Sequence, residues 1–196
     1  MDPPKALLRR VSVVGSTGTG KTTFGRELAR IMGVPFVELD ALAWGPGWTM
    51  IPTERFQARA AEAIAGDAWV VDGNYGGRGV RELVWARADT IIWLDFGLPV
   101  IFRWLWKRTT LRIRDGAELW PGTGNRETIR DAFFSRESLF WWALKTHRAR
   151  KRSYARLLAL PRYADRTVLR FTKPADADRW LAAQHGRAAA TRPALH

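Results

Sequence analysis

The sequence predicts an α/β fold with a doubly wound, five-stranded parallel sheet. Five short runs of apolar and β-branched residues, each too short for a helix, recur along the chain. Segments with apolar residues at helical spacing separate these runs, and a glycine-rich loop joins the first run to the first helix. Strands that alternate with helices are typical of a parallel sheet with helices on both faces.

The N-terminal part begins with a predicted strand at about residues 10–14. The helix after it extends to about Met32, and Gly33 follows as its C-cap, because glycine readily adopts the left-handed conformation that ends helices. Residues 35–39 form a short second strand that ends at Asp40. Strand, helix and strand in this order are the start of a parallel sheet.

The middle of the chain continues this alternation. A helix is predicted to begin at Thr53 as its N-cap. Strands follow at residues 69–71 and 90–94, separated by a glycine-rich loop at 72–79 and a helix at 80–87. The buried face of the helix after Thr53 is predicted to comprise Phe56, Ala60 and Ile64.

The C-terminal half contains the last predicted strand, at residues 167–171. An apolar helix is predicted from Pro99 to about Arg108, a flap at residues 112–125, helical structure at 128–158 and a closing helix at 175–184. The flap is inferred from weak periodicity and several Gly and Pro residues. The inward residues of the 128–158 segment are predicted to be Phe133, Phe134, Phe140, Trp141 and Leu144.

The length and composition fit one globular domain. A chain of 196 residues, 46% of them hydrophobic, can form a substantial core. We assign residues 1–185 to this domain, with a lid at about residues 109–130, and expect a disordered tail at residues 186–196. The chain has no cysteine, which excludes disulfides and thiolate zinc sites. No apolar run approaches the ~20 residues of a membrane span, and we expect a cytoplasmic protein.

The positive charge is concentrated in one region. The net charge is +13, and residues 101–170 contain 17 Lys and Arg against 6 Asp and Glu. Such a surface attracts anions, whether nucleotide phosphates or nucleic acid. It is also compatible with a solvated basic surface that binds nothing. We expect at most weak, non-specific nucleic-acid binding, through the cluster of Arg148, Arg150, Lys151 and Arg152.

Residues 15–22 fit the pattern of a phosphate-binding loop, G-x-x-x-x-G-K-[ST], between a strand and a helix. Glycines allow the backbone N–H groups to converge on phosphate oxygens, and the helix N-terminus adds its dipole. Lys21 can reach the β- and γ-phosphates, and the Thr22 hydroxyl can bind Mg²⁺. The predicted loop comprises Gly15, Ser16, Thr17, Gly18, Thr19, Gly20, Lys21 and Thr22.

Three aspartates follow predicted strands, at the edge of the sheet where ligands bind in such folds. Asp72 has the pattern of a carboxylate that holds Mg²⁺, and the alternative is that it caps the next turn. Asp95 has the same pattern, and we expect only one of the two beside the strand of the phosphate loop. We favour Asp72 for the metal, because a glycine-rich loop follows it, and a structural role for Asp95. Asp40 could bind an acceptor hydroxyl, act as a base or cap a helix.

The basic helix after the fourth strand offers cations for a transferring phosphoryl group. Positive charge around that group supplies most of the catalysis in such reactions. Among these residues we select Arg108 first and Arg112 second, and the flap that follows could exclude water.

At these motifs the chain resembles the nucleoside-monophosphate-kinase-like group of phosphate-loop proteins. The resemblance is strongest to the bacterial topology modulation proteins or adenylate-kinase-like ATPases. Besides the loop, it rests on the Leu-Asp-Ala-Leu-Ala-Trp stretch at 39–44 with Pro-Gly-Trp at 46–48, on Val-Asp-Gly-Asn-Tyr at 71–75, and on residues 90–95 with the basic helix behind them. It covers most of residues 11–181.

This resemblance implies a P-loop kinase fold with sheet order 2-3-1-4-5 and a helical lid, and it implies ATP with Mg²⁺ as cofactors. Arg108 would match a lid-hinge arginine. Adenylate kinases carry Asp-Gly-Phe-Pro-Arg where this chain has Asp-Gly-Asn-Tyr-Gly at residues 72–76. The arginine of this chain lies two positions further along, at Arg78. That departure argues against AMP as the acceptor. The resemblance also implies that the adenine base is flanked by Lys173 and Pro174. The residues that it implies for binding phosphates and metal are Gly18, Gly20, Lys21, Thr22 and Thr23.

The resulting hypothesis is an ATP-dependent phosphotransferase of the nucleotide-kinase type. Its acceptor would be a nucleoside monophosphate or a similar small metabolite. Two alternatives remain: a nucleic-acid-associated ATPase, and a nucleotide-binding regulator without turnover. The catalytic residues of the hypothesis are Lys21, Arg108 and Asp40, the substrate-binding residues are Asp40, Asp72, Asn74, Arg78 and Arg112, and the metal ligands are Thr22 and Asp72.

Overall fold

The computed structural model describes residues 8–116, 118–126 and 139–191, and they contain a five-stranded sheet in which all pairings are parallel. The strand order is β2-β3-β1-β4-β5, which confirms the predicted topology. Each strand lies within one or two residues of its predicted position. The strands are β1 (Arg10–Gly15), β2 (Phe36–Glu38), β3 (Trp69–Asp72), β4 (Thr90–Leu94) and β5 (Thr167–Phe171).

Seven α-helices connect and cover the described strands. Gly33 caps the first of them in the left-handed conformation, as predicted. Thr53 is the first residue of its helix and not the N-cap, because Pro52 occupies the capping position. The helices are α1 (Lys21–Met32), α2 (Leu39–Ala43), α3 (Thr53–Ala63), α4 (Val80–Arg87), α5 (Leu98–Asp115), α6 (Leu139–Leu158) and α7 (Pro174–Thr191).

The core lies on both faces of the sheet. On one face the strands pack against α3 and α4, where the predicted residues Phe56, Ala60 and Ile64 are fully buried. On the other face α1 and α7 contribute Phe24, Leu28 and Ala177. Burial on both faces explains why the central strands are continuous apolar runs. No helix within the described ranges is long and apolar enough to cross a membrane.

Two helices extend further than the sequence suggested. Helix α5 continues to Asp115 and ends at Gly116, so Arg112 and Arg114 lie on its last turns and not in a flap. The start of the predicted lid is therefore helical. Helix α7 continues to Thr191 and so includes the first residues of the segment for which the sequence predicts a disordered tail. Its last turns contain three consecutive alanines, the residue with the highest helix propensity.

The inward face of α6 also differs from the prediction. Trp141 and Leu144, predicted to be buried, are 57% and 46% exposed. Ala143 and Tyr154 are buried instead, eleven residues or three helical turns apart. The apolar residues near the start of α6 therefore indicated the wrong side of the helix as its buried face. Phe133 and Phe134 lie outside the described residues, as does the Phe140 side chain.

Candidate active site

The glycine-rich loop lies between β1 and α1, at the carboxyl edge of the sheet. Helix α5 covers it so closely that side chains would not fit at two of its glycines. A Cβ atom on Gly18 would lie 2.5 Å from Cγ of Leu105, and one on Gly20 would lie 2.9 Å from the Trp104 ring. Both glycines have positive φ, a conformation that other residues rarely adopt. This close approach requires glycine at both positions.

Hydrogen bonds inside the loop determine its shape. The Ser16 carbonyl oxygen accepts a hydrogen bond from the Thr19 hydroxyl at 2.8 Å and another from the Lys21 amino group at 3.1 Å. The backbone N–H of Thr19 donates to the same oxygen. The Lys21 amino group is thereby folded back over the loop, which is where a bound phosphate would need a positive charge.

Asp72 lies directly beside the start of α1. The Thr22 hydroxyl donates a hydrogen bond to Oδ2 of Asp72 at 2.5 Å. The aspartate is 4% exposed, and its other oxygen, Oδ1, is buried without a hydrogen-bond partner in the described structure. A buried carboxylate oxygen without a partner is unfavourable unless a cation or water binds it. The pair of a hydroxyl and a carboxylate therefore fits a divalent cation.

The ion would need further ligands from the nucleotide. Within the described residues, no three His, Cys, Asp or Glu side chains converge on a metal site of their own. Mg²⁺ typically binds one or two carboxylates together with substrate phosphates and water. Thr22 and Asp72 match that arrangement.

Asp95 has a different environment, although β3 and β4 both lie next to β1. The expectation that only one of these strands would neighbour the loop strand was therefore wrong. Asp95 forms ion pairs with Arg170 at 2.5 Å and with Lys151 at 3.1 Å. Its charge is thus neutralised by cations from β5 and α6, whereas Asp72 contacts the phosphate loop.

Burial dominates the electrostatics of the loop. It lowers the pKa of Lys21, and the negative charges of Asp72 and Asp40 oppose that shift. Burial likewise raises the pKa of Asp72, which the charge of Lys21 opposes. The guanidinium groups of Arg150 and Arg108 are near enough to lower the pKa of Lys21 further.

Arg150 is the residue that sequence analysis missed. The sequence groups it with Arg148, Lys151 and Arg152 in one basic cluster, yet it lies on the same side of α6 as Ala143 and Tyr154. The signal was present in the sequence, because residues 143, 150 and 154 recur at helical spacing. The choice between the two faces of α6 required the tertiary structure.

Known proteins are similar to this chain in sequence. The family model of the ATPase family associated with various cellular activities (AAA) matches residues 11–95. A shikimate kinase of Ruegeria pomeroyi is 30% identical over 155 residues, which cover 69% of this chain and 73% of that protein. The chain belongs to the P-loop kinase family. As a member, it is an ATP-dependent kinase.

Solved structures agree on the fold of this P-loop kinase. Shikimate kinase from Acinetobacter baumannii in complex with shikimate superposes with a TM-score of 0.55 at 14% identity, covering 95% of this chain and 96% of that one. Shikimate kinase from Bacteroides thetaiotaomicron gives a TM-score of 0.51 at 18% identity, covering 92% and 96%. At these identities the likeness shows the fold alone.

A cavity of about 670 Å³ adjoins the phosphate loop of the kinase. Arg108 and Arg112 of α5 line it, so both arginines selected from the sequence lie beside the loop. Lys173 and Pro174, expected beside adenine, are not among the described lining residues. The lining residues of α7 are instead Ala177, Asp178 and Leu181.

The predicted acceptor residues lie on and around α2. Asp40 is in the first turn of this short helix, and the Tyr75 hydroxyl donates a hydrogen bond to its Oδ1. Asp40 is exposed and can reach an acceptor. Arg78 donates to the backbone oxygen of Ile51 at 2.8 Å. Asn74 donates a hydrogen bond to the Gly15 oxygen of the phosphate loop.

Three tryptophans form an aromatic wall beyond β2. The Trp48 ring meets those of Trp44 and Trp120 edge to face, with centroids 6.0 and 5.8 Å apart. Asn125 joins the two segments, since it donates to the Gly45 oxygen and accepts from the Trp48 N–H, each at 2.9 Å. Residues 118–126 of the predicted lid therefore contact the tryptophan-rich turn after α2.

Proposed function

We propose that this kinase transfers the γ-phosphoryl group of ATP to a hydroxyl of a small acceptor. The observation that carries the proposal is the Asp72 carboxylate, which binds Thr22 and keeps one buried oxygen without a described partner. This arrangement lies next to Lys21 and at the same edge of the sheet as Asp40. Phosphoryl transfer requires a cation, a phosphate-binding loop and an acceptor-binding group in that proximity.

The loop and Lys21 would hold the β- and γ-phosphates. Thr22 and Asp72 would hold Mg²⁺, which supplies charge stabilisation to the phosphate oxygens. Arg108, Arg112 and Arg150 would stabilise the charge that develops on the transferring group. Because all of these groups are already in place around the loop, little reorganisation is needed when ATP binds.

Asp40 would bind and orient the acceptor hydroxyl, with Tyr75 holding the carboxylate in position. The aromatic wall offers faces on which a planar base or a sugar ring can stack. A nucleoside monophosphate or a similar hydroxylated metabolite would satisfy these contacts. The finer assignment to the topology modulation proteins rests on the motifs at residues 39–48 and 71–75.

The proposal is tested by measuring ADP formation from ATP and Mg²⁺ with a panel of acceptors. The panel comprises nucleoside monophosphates, shikimate and gluconate, each against a control without acceptor. Stimulation by one class of acceptor supports the proposal and identifies the substrate. Equal rates with every acceptor and with none would contradict it.

Arg150 gives a direct test of the cations around the loop. We expect Arg150→Gln to lower the turnover number at least about tenfold, because it removes a positive charge near the phosphates. Arg148→Gln is the matched control, since it removes an exposed arginine two residues away on the opposite face of α6. Equal rates in the two variants would exclude a catalytic role for Arg150.

A nucleic-acid partner remains the second candidate function, because α6 presents an outward basic stripe. Trp141, Lys145, Arg148 and Arg152 are all exposed and recur at helical spacing, and α6 contains no acidic residue. A tryptophan among cations can contact both bases and phosphates.

Salt dependence distinguishes this candidate from the kinase. We expect DNA binding to fall steeply with salt, with a log–log slope of about −0.9 per neutralised phosphate, and to vanish by about physiological ionic strength. Neutralising Lys145, Arg148 and Arg152 together should leave acceptor-dependent turnover within a few-fold of wild type. Salt-resistant DNA or RNA binding that stimulates ATP hydrolysis would favour the nucleic-acid function instead.

A further inference from the structure

The Asn74 side chain continues the pairing between β1 and β3 beyond the end of the strands. The backbones pair as far as Val13 and Asp72. Two residues later, Nδ2 of Asn74 donates a hydrogen bond to the Gly15 oxygen at 2.6 Å, and the Gly15 N–H donates to Oδ1 of Asn74 at 3.4 Å. The amide side chain thus bonds both the N–H and the carbonyl oxygen of the first glycine of the loop, the two groups that a continued β3 would pair.

The backbone of β3 cannot make these contacts itself, because it turns away at Gly73. This glycine has a φ of +146°, and a Cβ atom there would lie 2.7 Å from Cβ of Leu39. The chain therefore leaves the ladder at the point where the phosphate loop begins. From there the Asn74 side chain reaches back to Gly15.

Tyr154 of α6 reinforces the orientation of the Asn74 amide that the two Gly15 hydrogen bonds require. Its hydroxyl donates to Oδ1 of Asn74 at 2.6 Å. The tyrosine is 4% exposed and its ring packs near those of Trp85 and Trp93. Burial raises the pKa of Tyr154 to about 12, so the hydroxyl keeps its proton at neutral pH. A reversed amide would place Oδ1 against the Gly15 oxygen, two acceptors facing each other.

We propose that Tyr154 is a positioning residue that orients the phosphate loop through Asn74. This inference rests on the proposed function, in which the loop binds the phosphates of ATP. The amides of the loop bind a phosphate together only while their directions converge. A small shift at Gly15 therefore weakens several contacts at once.

The other contacts of α6 fit the same role. Lys151 forms an ion pair with Asp95 at the end of β4, and Arg150 acts on Lys21. Helix α6 thus contacts the segments that follow the two strands flanking β1, through Tyr154 to Asn74 and Lys151 to Asp95. Tyr154 reaches the loop backbone through the Asn74 side chain.

Tyr154→Phe tests the proposal, because it removes a single oxygen atom. We expect ADP with Mg²⁺, and inorganic tripolyphosphate, to bind about three- to tenfold more weakly by calorimetry, as for the loss of one hydrogen bond. Tyr163→Phe is the matched control. Tyr163 is also buried, its ring centroid lies 5.1 Å from that of Trp85, and its hydroxyl has no hydrogen-bond partner within the described structure. We expect its affinities to stay within about twofold of wild type.

Two further measurements separate positioning from a general loss of stability. Amide hydrogen exchange of residues 15–20 without nucleotide should accelerate in Tyr154→Phe and stay unchanged in Tyr163→Phe. In an Asn74→Ala background, Tyr154→Phe should weaken binding no further, since Tyr154 acts through Asn74.

The outcomes distinguish this proposal from the proposed function. A wild-type protein that binds neither ADP nor tripolyphosphate would refute phosphate binding at the loop, while the exchange experiment would still test the positioning. Unchanged exchange of residues 15–20 in Tyr154→Phe, or additive losses of affinity in the double variant, would overturn the positioning role.

Discussion

Replacing Lys21 with alanine is expected to lower ATP turnover at least about a hundredfold. The physical reason is the position of its amino group, which Ser16 holds over the loop at 3.1 Å. A charge already fixed where the γ-phosphate accumulates negative charge stabilises the transition state without reorganisation. We expect the loss to appear mainly in the turnover number and to be accompanied by weaker binding of ATP with Mg²⁺ in calorimetry.

The controls for Lys21 separate charge from folding. Lys21→Met keeps the aliphatic stem and should lose as much activity as Lys21→Ala. Lys145→Ala, which removes an exposed lysine of α6, should stay within about twofold of wild type. We expect no lower thermal midpoint in the two Lys21 variants, because burial lowers the pKa of Lys21 and its charge therefore does not stabilise the folded state. Wild-type ATP affinity in Lys21→Ala would contradict the assignment.

Replacing Asp72 with asparagine should give the second large effect. We expect the Mg²⁺ concentration for half-maximal turnover to rise about 10- to 100-fold, and the maximal rate to fall. Asparagine keeps the size of the side chain and a hydrogen-bond acceptor for Thr22, but it loses the negative charge that holds the cation. A titration of turnover against Mg²⁺ at saturating ATP measures the shift.

Asp95→Asn is the control that the fold itself offers, because β3 and β4 flank the loop strand symmetrically. This change weakens the ion pairs with Arg170 and Lys151. It should therefore lower the thermal midpoint and leave the Mg²⁺ requirement unchanged. If Asp95→Asn shifts the Mg²⁺ requirement and Asp72→Asn does not, the two aspartates have exchanged roles.

The two aspartates show how far sequence reasoning could go. The apolar strands, the loop motif and the sheet order could be predicted from local patterns and a family resemblance, since each depends on neighbouring residues. Local pattern could not separate Asp72 from Asp95, because both follow buried strands that border β1. The contacts that distinguish them involve Thr22 and Arg170, which are 50 and 75 residues away in the chain.

The same limit explains the errors on α5 and α6. Helix α5 continues through a polar segment until Gly116, and Arg108 and Arg112 on its second half line the cavity beside the loop. On α6 a basic cluster divides between two faces, with Arg150 toward Lys21 and Arg148 toward solvent. Only the packing of α6 against the sheet determines that division.

The most direct test of the kinase assignment is phosphorus NMR of the wild-type protein with ATP, Mg²⁺ and the acceptor panel. The measurement follows the fate of the γ-phosphorus itself. We predict that ADP and a phosphate ester of one acceptor appear in equal amounts, and that neither forms in Lys21→Ala. Release of inorganic phosphate alone, with no ester on any acceptor and with a rate that nucleic acid increases, would contradict phosphoryl transfer to a small molecule.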